Sequence, residues 1–552
     1  MPDERAVRGS DLSLLVLPEF YEVVRLAPTA PIPADLFACA DPNAVVSITR
    51  TADELSIIRP RGARRIDGET REEGWRALKV KGPLPFHLVG VLSHLSATLA
   101  AAGVSIFVNS TYDTDYVMVK DDKLHAAVDA LKAGGSAVDG APVPATRFLA
   151  QEPSIVEPED AGAIVVVSLT SAGSSYHADL RLKPELCLEA CGHFKQWFCF
   201  EARGMPVGGT ASFSILDAGE STFSDWHGYK VAMLRGTAWD RVAATTFEDG
   251  VLSWTLEGNA TSSATFAYWP TYSLERTRAL CLEAQATLGA ERVAIGATVD
   301  GRDVECLVFG GPRTPEKRLV WVQHRQHPGE VAASWFAEGV VRRLAGHGLL
   351  ERATVVVLPN LNPDGSRRGY LRVNAAGANL NRCWGALNGV APGLGQSAPP
   401  APETAAAIAA MRRLGGPDVM LDVHQDEEKP YVFISKTPLG APSCDDRMRA
   451  LHAKFHDVYR RRSPDFETPG PVDPVGYPEP SPGGANLNIC SAAVAQAFPG
   501  CLAMTLEMPY KGNDNAGAVA KLGFTPKQAV DLGAAAVDAI ADILPDLPPR
   551  RT

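Results

Sequence analysis

Cysteine is scarce and scattered in this chain: ten occur among 552 residues, none in a C-x-x-C pair, and the closest two are Cys187 and Cys191. That pattern excludes a disulfide framework and fits free thiols in a reducing cytoplasm. No stretch of about 18 apolar residues runs without charge, so no transmembrane helix and no membrane partner is expected. The opening MPDERAVRGSDLSLLVL is charged and lacks a long apolar core, so no signal peptide is expected either. Basic residues are outnumbered 53 to 64, for a net charge of -11, which argues against nucleic acid as a partner. G-x-S-x-G, a post-strand G-x-G-x-x-G and a P-loop are all missing. Serine hydrolase, dinucleotide and NTPase readings therefore have no anchor.

What is present is an ordinary globular composition, 45% hydrophobic and 21% charged, on a chain too long for one core. Residues 11–135 alternate short apolar strands such as LSLLVL, LSIIRP and YVMVK with two amphipathic helices, FHLVGVLSHLSATLAAAG and HAAVDALKAGG. Two βαβ-like halves, an α+β unit, are expected there. Residues 136–162 are rich in Gly, Pro and acid without periodicity and read as a linker. Strand-like runs separated by turn residues fill 163–270, the pattern of an antiparallel β-sandwich. From 271 to 546, near-continuous Val/Leu strands alternate with helices. This is the signature of an α/β domain with a mixed, mostly parallel sheet and helices on both faces. Ligand sites in such sheets gather at the carboxyl ends of the strands.

Two polar clusters stand at such ends. His327-Pro328-Gly329-Glu330 follows the strand RLVWVQHR and opens a helix, with Pro328 suited to the first helical turn. His424 ends a different strand, VMLDVH. Two His and one Glu converging on one ion leave a fourth tetrahedral position for water, as catalytic zinc requires. Glu507 lies in another apolar strand, CLAMTLEM, where desolvation suits a carboxyl group to proton transfer.

Four strings carry a family resemblance: QHPGEVAASWF (326–336), PNLNPDGSRRG with LRVN (359–369, 371–374), GANLNR (377–382) and TLEMPYK (505–511). Together with the β-rich segment ending in YSLERTR, they resemble the zinc metallocarboxypeptidases, and the cytosolic carboxypeptidases in particular. The resemblance implies one zinc ion held by His327, Glu330 and His424, a metal-activated water, and hydrolysis of the C-terminal peptide bond. It implies Glu507 as general base, Arg372 as the oxyanion's partner, and Asn381 with Arg382 as the grip on the substrate's terminal carboxylate. Peptide or protein C-termini are then the substrates, acidic (Glu) ends among them, in a cytoplasmic setting. The string SIFVNSTYDTDYVMV (105–119) resembles the ACT domains. It implies a free amino acid as ligand, held by the polar loop 110–115, or a unit that mediates self-association.

Two departures accompany the likeness. Asn379 stands where many relatives carry an Asp that orients a zinc-bound His, and Gln425 follows His424 where a smaller residue is commoner. His452 and His456 have i, i+4 spacing, but Ala453 occupies the place of the Glu in H-E-x-x-H, so they read as surface histidines. His324 reads as packing or as support behind a metal ligand. Two other functions compete with the peptidase. One is an aspartoacylase-like amidohydrolase using the same zinc site. The other is an ACT-type amino-acid sensor on an inactive hydrolase scaffold.

Overall fold

The computed structural model describes residues 12–32, 45–60, 66, 68–85, 88–139, 152–158, 160–187, 193–235, 238–259, 261–391, 400–466, 477–511 and 523–549. The chain falls into two compact units, 1–150 and 151–552.

In the first unit the strands are β1 (Ser13–Leu26), β2 (Ser47–Arg50), β3 (Leu55–Pro60), β4 (Thr70–Val80), β5 (Ile106–Ser110), β6 (Asp115–Lys120) and β7 (Ala137–Asp139). They form one sheet in the order β2-β3-β1-β4-β6-β5, with β7 beside β1. Helices Val91–Ala101 and Leu124–Ala133 cover the face that carries Leu14, Val16, Leu78, Val80, Val117 and Val119. Alternate residues Tyr21, Ala77 and Met118 point to the other face, as the two-residue period of a strand dictates. The expected pair of βαβ-like halves is β4–helix–β5 followed by β6–helix–β7, and in each half the two strands run in the same direction with other strands between them. Both described helices follow β4, and among the described pairings of this sheet only β1 with β7 is parallel. Strands joined by turns as short as that between β5 and β6 can pair only antiparallel. In that turn the hydroxyls of Thr111 and Thr114 bond to the carbonyls of Thr114 and Val80. The turn itself therefore uses two of the groups expected to receive an amino acid.

The segment expected to be a linker carries β7 at one end and β8 (Ser154–Val156) near the other. β8 pairs with β13 (Cys199–Arg203) and so belongs to the sandwich. The remaining sandwich strands are β9 (Ile164–Ala172), β10 (Ser175–Leu182), β14 (Thr210–Ile215), β15 (Ala232–Arg235), β16 (Ala238–Arg241), β17 (Thr245–Glu248), β18 (Val251–Leu256) and β19 (Ser263–Ala267). Two sheets result, β17-β18-β14-β10-β9 and β16-β15-β19-β13-β8. Their inner faces meet through aromatic rings: Phe266 lies 4.7 Å from Phe213 and 5.5 Å from Trp254, centroid to centroid. One pair departs from the antiparallel expectation, because β10 and β14 run parallel. The long crossover between them contains the ribbon β11 (Glu185–Leu186) with β12 (His193–Phe194), and a crossover is what parallel pairing needs.

The last sheet comprises β20 (Glu291–Ala297), β21 (Asp303–Phe309), β22 (Arg318–His324), β23 (Ala353–Leu358), β24 (Val419–Asp426), β25 (Phe433–Ser435) and β26 (Leu502–Pro509). Its order is β20-β21-β23-β22-β24-β26-β25; the central four strands are parallel and the flanking three antiparallel. β23, β24 and β26 are buried along their whole length, which explains their unbroken apolar runs. Helices Ala332–Leu344 and Pro526–Ile543 pack together over one face, while Pro402–Arg413 and Cys490–Ala497 help to close the other.

The core does not stop at residue 270. Tyr268 stacks on Tyr510 at 4.8 Å and Tyr272 meets Trp335 at 5.0 Å, so sandwich and α/β sheet share one apolar cluster. His452 is 6% exposed on the inner side of its helix, not on the surface as expected; desolvation lowers its pKa to about 4.

Where the two long helices touch, glycine permits the approach. A Cβ on Gly339 would lie 2.0 Å from the Val530 carbonyl oxygen, and one on Gly533 2.1 Å from that of Phe336. Alanine is the better helix former by about 1 kcal/mol, yet overpacking typically costs about 1–3 kcal/mol. Backbone oxygens cannot swing aside as a side chain would, so the second effect wins. Gly339→Ala should lower the urea midpoint, whereas Gly348→Ala, with open space around it, should leave it nearly unchanged.

Candidate metal centre

The centre sits where β22, β24 and β26 end. After His324 the chain turns sharply through Arg325, a non-glycine residue at φ 58°. That left-handed turn is held by its guanidinium, which donates to the hydroxyls of Ser334 and Ser366 at 3.0 Å each. Burial lowers the pKa of this guanidinium to about 10. His324 is packing, as expected: fully buried, one ring nitrogen 2.8 Å from the Leu358 carbonyl oxygen. Next, the Gly329 N–H donates to the Leu371 carbonyl at 2.8 Å, and a Cβ there would strike the Leu371 Cα at 2.7 Å. The turn thus locks two of the four family strings together and delivers His327 and Glu330 to one spot.

His424 reaches that spot from the end of β24. Glu330 accepts from both rings, with Oε1 2.6 Å from His327 Nδ1 and Oε2 2.7 Å from His424 Nδ1. The two Nδ1 atoms are 3.2 Å apart. All three side chains are buried, and one ligand atom from each lies within 4.8 Å of the others. Burial alone would raise the Glu330 pKa, but the neighbouring imidazoles outweigh it and hold the carboxyl well below its usual range. Two imidazole nitrogens and an ionised carboxylate, this close together, are a donor set for one zinc ion at about 2.0–2.2 Å.

The opposite nitrogen of each ring is fixed from behind. His327 Nε2 lies 3.0 Å from Asn379 Oδ1, so Asn at this position does orient the ring. His424 Nε2 lies 2.9 Å from Asp422, whose oxygens also accept from Gln323 at 3.1 Å and Gln326 at 2.6 Å. The Trp384 ring N–H donates to Gln326 Oε1 at 2.8 Å and closes the network. Both rings therefore present Nδ1 to the centre. Sequence reasoning does not single out Asp422. Its signal is an acid inside the otherwise apolar run VMLDV, two residues before His424 and so on the same face of the strand. Gln425, the other departure, accepts from the Ala332 N–H at 2.6 Å and so caps the helix that follows the His-x-x-Glu turn.

Glu507 is the register partner of His424 across β24 and β26, and is 8% exposed. Burial raises its pKa well above the usual range, with further upward pressure from Glu330, Asp426 and Glu427, against the pull of His424. Arg372 is half-buried, its guanidinium carbon 5.0 Å from the centroid of the Phe194 ring. The Asn381 backbone N–H donates to Asn379 Oδ1 at 3.0 Å, and its side-chain oxygen accepts from the Cys490 N–H at 2.8 Å. The Arg382 guanidinium folds back onto the Asn381 carbonyl at 2.9 Å.

Residues 282–529 match the zinc carboxypeptidase family, 155–269 the cytosolic carboxypeptidase N-terminal domain, and 70–133 an ACT domain. A metallo-carboxypeptidase from Pseudomonas aeruginosa, solved with (2-guanidinoethylmercapto)succinic acid, is 34% identical with a TM-score of 0.62; the match covers 72% of this chain and 100% of that one. The chain belongs to the zinc carboxypeptidases. A metallo-carboxypeptidase from Burkholderia cenocepacia gives the same identity and TM-score, with 71% and 99% covered. An uncharacterized protein of Zymomonas mobilis is 30% identical over 380 residues, 67% of this chain and 92% of that one. Cytosolic carboxypeptidase 2 of Danio rerio is 30% identical over 220 residues, and this chain spans 30% of its length. This metallocarboxypeptidase is thus a peptide hydrolase with one zinc site, and no helix among its described residues is long and apolar enough to cross a membrane.

Asp422 offers a direct test. Removing a carboxylate that orients a ligating imidazole typically weakens metal binding about 10–100-fold. Asp422→Ala should show that loss in a chelator competition for zinc, whereas Asp426→Asn, farther along the same strand, should not.

Proposed function

We propose that this carboxypeptidase removes the C-terminal residue of peptides or proteins in the cytoplasm, with Glu507 as base, Arg372 as oxyanion partner, and Asn381 and Arg382 as carboxylate clamp. The observation that carries the reading is the register of His424 with Glu507 in adjacent parallel strands. It sets a carboxyl group beside the metal ligands. Bound zinc supplies a Lewis acid that brings the pKa of water to about 7. Glu507 takes the proton as water oxygen bonds to the carbonyl carbon, then returns it to the nitrogen as the C–N bond breaks. Its desolvated carboxyl, with a raised proton affinity, suits both transfers. Arg372 donates N–H groups to the oxygen on which negative charge grows.

The clamp follows from donor chemistry: a planar guanidinium and an amide bind a carboxylate at two points. The Pseudomonas aeruginosa relative was solved with a succinic acid derivative, a molecule of the carboxylate class such a clamp would take. Acidic C-termini are the first substrates to assay, on the likeness to the cytosolic carboxypeptidases.

Glu507→Gln should retain zinc and lose turnover by about 10²–10⁴-fold, because the base is removed while His327, Glu330 and His424 remain. Near-normal release of C-terminal residues by the zinc-loaded variant would refute the role of Glu507. Amidating the C-terminus of a good substrate should slow cleavage about tenfold or more, the value of one charge-assisted hydrogen bond. Equal cleavage of acid and amide would instead indicate an endopeptidase or an acylase, and would refute the carboxylate clamp.

A further inference from the structure

The crossover that leaves β10 carries the β11–β12 ribbon to the loop holding Arg372. In that ribbon Glu185 stands opposite Phe194. Both oxygens of Glu185 accept from the Arg372 N–H, at 3.1 and 3.0 Å, and Oε2 also accepts from the Val373 N–H at 3.2 Å. Phe194, its neighbour across the ribbon, presents its ring to the Arg372 guanidinium at 5.0 Å. One ribbon therefore holds this arginine at both ends, its backbone by a carboxylate and its side chain by an aromatic face.

The cost of this arrangement indicates its purpose. Glu185 is only 5% exposed, and burial pushes its pKa up to about 7 against the pull of the Arg372 and Val373 N–H groups. A backbone carbonyl would satisfy those donors without desolvating a charge. What the carboxylate adds is a fixed, charge-assisted grip on consecutive peptide N–H groups, which restricts the loop more than one neutral bond would. The Arg372 Nε has no hydrogen-bond partner and is buried, so it is not held from that side.

We propose that Glu185 and Phe194 are positioning residues for the reaction: the β11–β12 ribbon of the sandwich sets the place from which Arg372 meets the reacting carbonyl. The proposal rests on the oxyanion role given to Arg372 above. It makes the β-rich half part of the catalytic apparatus, needed for turnover and dispensable for zinc.

The test is a double-mutant cycle on the full, zinc-loaded chain, reading kcat and KM for a C-terminal peptide substrate, zinc content and thermal midpoint. Glu185→Ala should lower kcat about 10–100-fold, the scale of a misplacement near 1 Å, with KM within about threefold and zinc retained. In an Arg372→Ala background the same change should cost little more, because its effect passes through the arginine. Phe194→Leu, which preserves most of the packing volume, should show a smaller kcat loss that also vanishes in that background. It serves alone if Glu185→Ala does not fold. Glu185→Gln, which keeps an acceptor oxygen, should recover part of the activity. Full kcat in Glu185→Ala, loss of zinc, or penalties that multiply with that of Arg372→Ala would each overturn the positioning role. An Arg372→Ala enzyme with full kcat would instead overturn the oxyanion reading, and the positioning role with it.

Discussion

A charged carboxylate, Glu330, is buried between two imidazoles, and the surrounding structure is organised to make that tolerable. Burying an isolated carboxylate carries a desolvation penalty of several kcal/mol even after relaxation. Here His327 and His424 offset it, and each ring is held by a further buried group, Asn379 behind one and Asp422 behind the other. Asp422 is itself buried and needs Gln323 and Gln326, and Gln326 needs Trp384. Each polar group drawn inside demands another, until the network reaches strands and loops far apart in the chain. Such a cluster is stable only when fully satisfied, which is why it sits at strand ends, where loops can supply partners.

The same logic explains the turn that precedes it. Arg325 adopts a left-handed conformation that an L-residue resists, and Ser334 and Ser366 hold its guanidinium in place. Gly329 admits the Leu371 backbone at a distance no other residue would permit. These local costs buy one outcome: two ligands and the 371–373 loop are fixed relative to each other before any substrate arrives. The β-sandwich is tied into this frame by the core it shares with the α/β sheet, through Tyr268 on Tyr510 and Tyr272 on Trp335. A domain described by sequence as a neighbour is, physically, one wall of the same body.

Local chemistry determined much by itself. Unbroken Val/Leu runs require burial on both faces, so β22, β23, β24 and β26 were legible as a covered, mostly parallel sheet. The spacing of His327 and Glu330 across a strand-to-helix turn, and His424 at a strand end, already carried the zinc site. What only tertiary structure decided was every relation without a periodic signal. A side-chain period says which face a residue occupies, not which strand lies beside it. The parallel pairing of β10 with β14, the order of the strands in the N-terminal sheet and the strands within the supposed linker were therefore hidden. His452 was hidden too, because an isolated polar residue on a helix does not announce that its face is covered. Asp422, whose one signal is its place in an apolar run, and Glu185 stayed hidden for a shared reason. An acid in sequence is ordinarily a surface charge, and only the fold reveals that Asp422 meets the back of an imidazole and Glu185 the backbone of Arg372, 187 residues away.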